Sequence, residues 1–202
     1  MSREYRNFTD IKVRADKNES MVVEGYATVF DTPYKLYDDG EYIVREQIAR
    51  EAFDETDMSD VIMQYNHEGR VFARNKNGTL QVVPDEKGLK TIAELSGTDI
   101  GRQLYQEIDG GYTDKMSFGF TVASDTREVT RGDKEPTVVL RTITGIKKLY
   151  DVSAVSIPAN DATEISARSY CDGVIAEVEA ERRRAENIKL MRKKLKVMML
   201  GD

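Results

Sequence analysis

Cysteine and histidine each occur once in this sequence, and tryptophan does not occur at all. The single cysteine, Cys171, excludes an intramolecular disulfide and any zinc site built on thiolates. The single histidine, His67, lies in no HExxH or similar pattern, and one imidazole does not build a typical zinc centre without further ligands. No metal and no cofactor is therefore expected. Long apolar runs are also missing. No stretch is long enough to span a bilayer, and the charged start, Met1 to Arg6, lacks the apolar run of a signal peptide. These absences predict a soluble protein of a reducing compartment with no membrane partner.

What is present is charge, a third of the 202 residues, placed unevenly. The formal total of −6 speaks against a protein that coats nucleic acid. Between Arg182 and Lys196, however, eight cations face Glu186 alone, a net +7 that leaves −13 on the rest of the chain. The length permits one domain with a real core plus an appendage. We place a domain over residues 1–170 and a basic helical arm over 171–202. In the arm Val174, Val178, Ala185, Ile188, Leu195 and Met199 keep an approximate heptad, interrupted by Glu181 and Arg192. The pattern fits a solvated helix, or an arm that docks on a partner with an acidic or apolar surface. Nucleic acid is the weaker partner, because a basic helix by itself is a weak signal.

Within the domain, period-two and turn signals mark the elements. Val22–Phe30 reads as a strand closed by Asp31-Thr32-Pro33, with Gly25 suggesting a bulge. Tyr42–Arg45 reads as a short strand, followed by helical spacing from Arg45 to Thr56. Val61–His67 alternates, and its last residue precedes a turn at Glu68-Gly69-Arg70. Leu80–Pro84 and Leu89–Leu95 form a hairpin around Asp85–Gly88. Thr98 or Asp99 caps a helix carrying Ile100, Leu104 and Ile108, which Gly110-Gly111 ends. Thr126–Pro136 reads as a charged, mobile loop, and Val138–Thr144 and Gly145–Ile157 as the last strands. The sum is an α+β, mostly β fold: an antiparallel barrel of about seven strands with peripheral helices.

The strand Asp114–Val122 carries the most chemistry. Alternation puts Met116, Phe118, Phe120 and Val122 on one face and Ser117 and Gly119 on the other. Ser117 is thus expected on the open, wet face, with Gly119 leaving room for a substrate backbone. A polar residue on the wet face of a core strand is the commoner meaning of such a serine. For His67, the commoner meaning is a satisfied imidazole at the core's edge; its functional meaning is a general base that titrates near neutral pH.

Several segments, in order, resemble the prohead maturation proteases of tailed bacteriophages. They are Gly25-Tyr26-Ala27-Thr28-Val29-Phe30, Ala49–Phe53, Tyr65-Asn66-His67, Gly101-Arg102, Lys115-Met116-Ser117-Phe118-Gly119-Phe120, Leu149-Tyr150-Asp151-Val152-Ser153 and Pro158-Ala159-Asn160. The resemblance covers about residues 20 to 165. It implies a serine endopeptidase with a fold similar to the herpesvirus assemblins, a β-barrel ringed by helices. It also implies capsid and scaffold proteins, and the protease itself, as substrates inside the assembling prohead in the host cytoplasm, with possible self-association. Carried over by position, Ser117 is the nucleophile and His67 the general base. Asp151 stands where the family often has glutamate as third member; Glu68, Asp114 and Asp161 are the alternatives. By analogy with assemblins, backbone NH groups at Ala159 and Asn160 are the oxyanion donors.

Two other readings compete with this one. A cysteine hydrolase would need Cys171 in a nucleophile motif, and Ser169-Tyr170 and Asp172-Gly173 resemble none, so Cys171 reads as an incidental thiol. A non-catalytic assembly or scaffolding factor would keep the fold and the basic arm, but has no physical need for both His67 and Ser117.

Overall fold

The computed structural model describes residues 3–13, 21–132, 135–156 and 161–199. Ten strands and two α-helices follow in the order β1 (Glu4–Val13), β2 (Val22–Val29), β3 (Tyr34–Asp38), β4 (Tyr42–Ile48), β5 (Ile62–Tyr65), β6 (Glu68–Arg74), β7 (Leu80–Pro84), β8 (Gly88–Glu94), α1 (Asp99–Asp109), β9 (Lys115–Thr130), β10 (Thr137–Val155) and α2 (Asp161–Met199).

The strands hydrogen-bond along an open path, β3-β4-β10-β9-β1-β2-β8-β7, with the β5–β6 hairpin attached to β10. This replaces the expected closed antiparallel barrel of about seven strands. The sheet is mixed, because β4 and β5 both run parallel to β10, β4 along Thr137–Ile143 and β5 along Asp151–Ala154. Between these contacts the chain turns through a short 3₁₀ segment at Arg50–Phe53. The helical spacing expected from Arg45 thus belongs to the end of β4 and this single turn, whose Ala52 and Phe53 are buried.

Charge hid four stretches of strand. The expected mobile loop at Thr126–Pro136 is largely the far end of β9, paired with β10 up to Thr130 and Val138. Its polar side chains stay in water while the ladder satisfies the backbone, so no apolar alternation is needed there. Likewise β1, β3 and β6 carry too many charges to read as strands locally, yet each is paired. The last two expected strands, which meet at Gly145, are one continuous 19-residue strand, β10. A Cβ at Gly145 would sit 2.6 Å from Ser124 Oγ, and the register shifts on both sides of it. Gly25 shows no bulge; it pairs in register with Ile11 and Thr91, and the irregularity comes between Tyr26 and Val29.

The remaining elements follow their local signals. In α1, Thr98 Oγ1 accepts the Gly101 N–H at 3.1 Å, and Leu104 and Ile108 are buried. The main core gathers Met116, Phe118 and Phe120 from β9 with Ile48, Phe53, Met63, Leu89, Leu104 and Leu149. Phe118 and Phe120 stack at 4.5 Å. A smaller core seats the first half of α2, with Cys171, Val174 and Val178 against Tyr42, Val44 and Val139. Beyond it α2 leaves Ile188, Leu190, Met191 and Leu195 exposed.

One buried polar cluster ties β1 to the sheet. Glu46, fully buried, accepts from Arg6 Nε at 2.5 Å and Nη2 at 3.0 Å, from Arg141 Nη1 at 2.8 Å, and from the Tyr34 hydroxyl. Glu4 also accepts from both arginines, and Asp125 from Arg141. Burial alone would push the Glu46 carboxyl up, but the two guanidinium groups outweigh it and hold Glu46 below its ordinary value.

Candidate active site

Three strands form the platform. In the antiparallel ladders Asp151 faces Gly119, which faces Tyr5, while one row on Ser153 faces Ser117. Residues directly opposite one another share a face of a sheet, so Asp151, Gly119, Tyr5, Ser117 and Ser153 share one face, opposite Phe118 and Phe120. At the edge of this platform β5 runs beside Asp151–Ala154 and turns into β6 through Asn66 and His67, with Tyr65 paired to Glu68. Both turn residues have positive φ, 49° and 62°, as a two-residue hairpin of the primed kind requires. Asparagine and histidine are among the side chains that enter that region most often, and residues held there cluster at functional sites. Asn66 anchors the turn to the end of β10, its N–H donating to the Ala154 carbonyl at 3.0 Å and its Oδ1 accepting from Ser156 N at 3.2 Å. The expected turn at Glu68-Gly69-Arg70 therefore comes two residues earlier, and His67 belongs to it.

The turn delivers the imidazole between the two other predicted residues. His67 Nε2 lies 2.6 Å from Ser117 Oγ, and Nδ1 lies 2.5 Å from Asp151 Oδ1. With the proton on Nδ1 directed to Asp151, Nε2 is free to accept the Ser117 proton, the tautomer general-base chemistry needs. A second acceptor competes for that proton, the Arg6 carbonyl at 2.8 Å. Asp151, though one methylene shorter than glutamate, reaches the ring because β10 places its backbone directly beside β5. Of the alternatives, Glu68 and Asp114 are exposed, and the Asp161 side chain lies outside the described residues.

Two expectations are corrected here. Ser117 is fully buried, not on a wet face, because His67 of the β5–β6 turn and the side chains of Tyr5 and Arg3 lie over that side of the sheet. Nor does Gly119 leave room for substrate. A Cβ at Gly119 would collide with Asp151 Oδ2 and lie 2.9 Å from both Arg3 Nε and Tyr5 Cε1, so the space is taken by the site's own groups. The sequence reading also missed three contacts: Arg3 Nη2 donates to Asp151 Oδ2, Ser153 Oγ donates to Asp151 Oδ1 at 2.8 Å, and the Tyr5 ring packs on His67 at 4.4 Å. Ser153 was within reach of strand periodicity, two residues from Asp151; Arg3 and Tyr5 gave no local signal. Ala159 and Asn160 lie outside the described residues.

Elsewhere, Cys171 is buried in the smaller core, where loss of water pushes its thiol up to about 11. That is the reverse of what activates a nucleophilic cysteine. Among the described residues no group of three or more histidine, cysteine or acidic side chains is disposed to hold a metal ion.

A family model described as the caudovirus prohead serine protease matches residues 9–174. The chain belongs to this family. It is 30% identical over 174 residues to the prohead protease of Enterobacteria phage HK97, covering 85% of this chain and 71% of that one. The solved structure of the bacteriophage T4 capsid assembly protease is similar over 77% of this chain and 99% of that chain, at 11% identity and a TM-score of 0.43. As a prohead protease family member the chain is a serine peptidase with a role in capsid maturation. None of its described helices is long and apolar enough to cross a membrane.

Proposed function

We propose that this chain is a serine endopeptidase that cleaves the major capsid protein, the scaffold protein and itself inside the assembling prohead, with Ser117 as nucleophile, His67 as general base and Asp151 as the group that orients and stabilises the imidazole. The observation that carries the reading is the continuous relay from Asp151 Oδ1 to His67 Nδ1 at 2.5 Å and from His67 Nε2 to Ser117 Oγ at 2.6 Å. A serine hydroxyl is a poor nucleophile until a base takes its proton. His67 takes it as Ser117 attacks the scissile carbonyl, and Asp151 stabilises the imidazolium. His67 then gives the proton to the leaving amine, and water, activated the same way, hydrolyses the acyl-enzyme. Backbone NH groups at Ala159 and Asn160 are our assignment for the oxyanion, where the loss of one donor typically costs about 10²–10³ in rate.

We assign residues 1–170 to the protease and 171–202 to a partner-docking arm. Net charge and four exposed apolar side chains in the second half of α2 support the second assignment. Removing residues 185–202 should reduce incorporation into proheads while peptide hydrolysis is kept, and equal packaging of the shortened chain would refute the docking role.

The deciding experiment for the activity is Ser117→Ala, co-expressed with capsid and scaffold proteins. Processing should stop while the circular dichroism spectrum and melting temperature stay those of the parent. Continued processing would remove the nucleophile assignment. If the parent chain itself cleaves nothing, the reading as a non-catalytic assembly factor takes its place.

A further inference from the structure

We infer that Arg3 is a positioning residue of this site: it fixes the free oxygen of Asp151 and sets the pH at which His67 becomes a base. Arg3 precedes the residues that match the family, which begin at residue 9.

The two oxygens of Asp151 have divided tasks. Oδ1 takes the His67 Nδ1–H and the Ser153 hydroxyl, and Oδ2 takes Arg3 Nη2. Without Arg3, the buried carboxylate would present Oδ2 to no donor among the described contacts, and an ionised carboxylate in that position is free to rotate or to neutralise. The arginine is itself held. Its guanidinium carbon lies 4.5 Å from the Tyr150 ring centre and 5.1 Å from that of Tyr5, and Tyr5 in turn packs on His67. Tyr150, Arg3, Tyr5 and His67 thus form one contiguous row, with the Tyr5 and His67 rings tilted at 54° to each other. A cation held close to two aromatic rings while it donates to a carboxylate suits a guanidinium better than an ammonium. Gly119 makes the approach possible, since a side chain there would meet both Arg3 Nε and Asp151.

The electrostatic consequence has a definite sign. Protonating His67 places a second cation on the carboxylate that Arg3 already neutralises, so Arg3 opposes the imidazolium and keeps the ring a base at lower pH. The groups facing the pair are Arg3, just before β1, Tyr5 from β1, Ser117 from β9, and Tyr150, Asp151 and Ser153 from β10. Lys148 lies behind the Tyr150 ring at 5.6 Å, and Glu68, next in the hairpin, is exposed. Arg3 and Asp151 are the charged members in direct contact.

Because His67 is the only histidine, its imidazole proton and carbon resonances can be followed against pH without ambiguity in the full chain. Arg3→Gln should move the midpoint of that titration upward by about 0.5–1 pH unit. Arg3→Lys, which restores charge without the planar fork, should recover most of the shift. A purely structural role would not give a shift that charge alone reverses. If Arg3→Gln does not fold, Arg3→Met, which keeps an apolar stem between the two rings, serves for the same measurement. An unchanged midpoint in the folded variant overturns the inference. The inference rests on the His67–Asp151 pairing proposed above, but the readout requires no catalysis, so a failure here and a failure of the Ser117→Ala experiment are separate results.

Discussion

Two buried polar clusters share the same three strands and the same N-terminal segment, yet they are built for opposite ends. In one, Glu46 is surrounded by Arg6, Arg141 and Tyr34, and every contact pairs a fixed charge with a fixed charge or a hydroxyl. In the other, Asp151 meets Arg3 and Ser153, but also an imidazole that can gain or lose a proton and that contacts a hydroxyl with two possible acceptors. The first cluster has one stable arrangement of protons. The second offers the Ser117 proton two acceptors, His67 Nε2 and the Arg6 carbonyl, and the first of these opens a route for proton transfer. Burial supports both, by making an unmatched charge costly in the first and an aligned relay effective in the second.

The sharpest way to separate them is to alter one carboxylate in each. Asp151→Asn should lower kcat by about 10⁴, since the amide imposes the wrong tautomer and no longer stabilises the imidazolium, while KM for a peptide substrate changes little. A rate within tenfold of the parent would move the orienting role to another residue. Glu46→Ala should instead destabilise the fold by about 3–5 kcal/mol, because it takes the buried carboxylate from two buried guanidinium groups and leaves them only the less buried Glu4 to share. Urea unfolding measures this, and a loss under 1 kcal/mol would show that solvent reaches Arg6 and Arg141 more easily than their burial suggests. A smaller effect comes with acid. The Glu46 value is depressed in the folded chain, so its contribution is complete above the ordinary carboxylate value and is lost as pH falls through the depressed one. The urea midpoint of the parent should fall in that range, and the fall should be shallower in Glu46→Gln. Least of all should be seen at an exposed pair: Arg182→Ala, which breaks a helix-surface contact with Glu186, should leave the melting temperature unchanged.

How much of this was legible in the sequence depends on how far each signal had to travel. The α1 helix, with its Thr98 cap and its Leu104 and Ile108 spacing, and the β7–β8 hairpin announced themselves, because caps and turns act over three or four residues. Ser117, His67 and Asp151 were found through motif resemblance, and the structure brings them together. The strand β1 was not legible. Its charges, and that of Arg3 just before it, look solvated until Glu46 and Asp151, distant in sequence, are known to face them. For the same reason the open side of Ser117 was misjudged: alternation tells which residues share a face, not what covers that face. The barrel failed for a related reason, since nothing local indicates that β4 and β5 will both lie parallel to β10.

That shared edge of β10 has a consequence for synthesis. His67 is made early, but its carboxylate partner comes 84 residues later, on a strand that β4 and β5 can join only when it exists. While the ribosome is still reading through β9, the imidazole has no Asp151 to orient it, and the Ser117 strand lacks its longest neighbour. The relay therefore cannot assemble on a growing chain until translation has passed residue 155, and the nascent protein carries the parts of a peptidase without the peptidase.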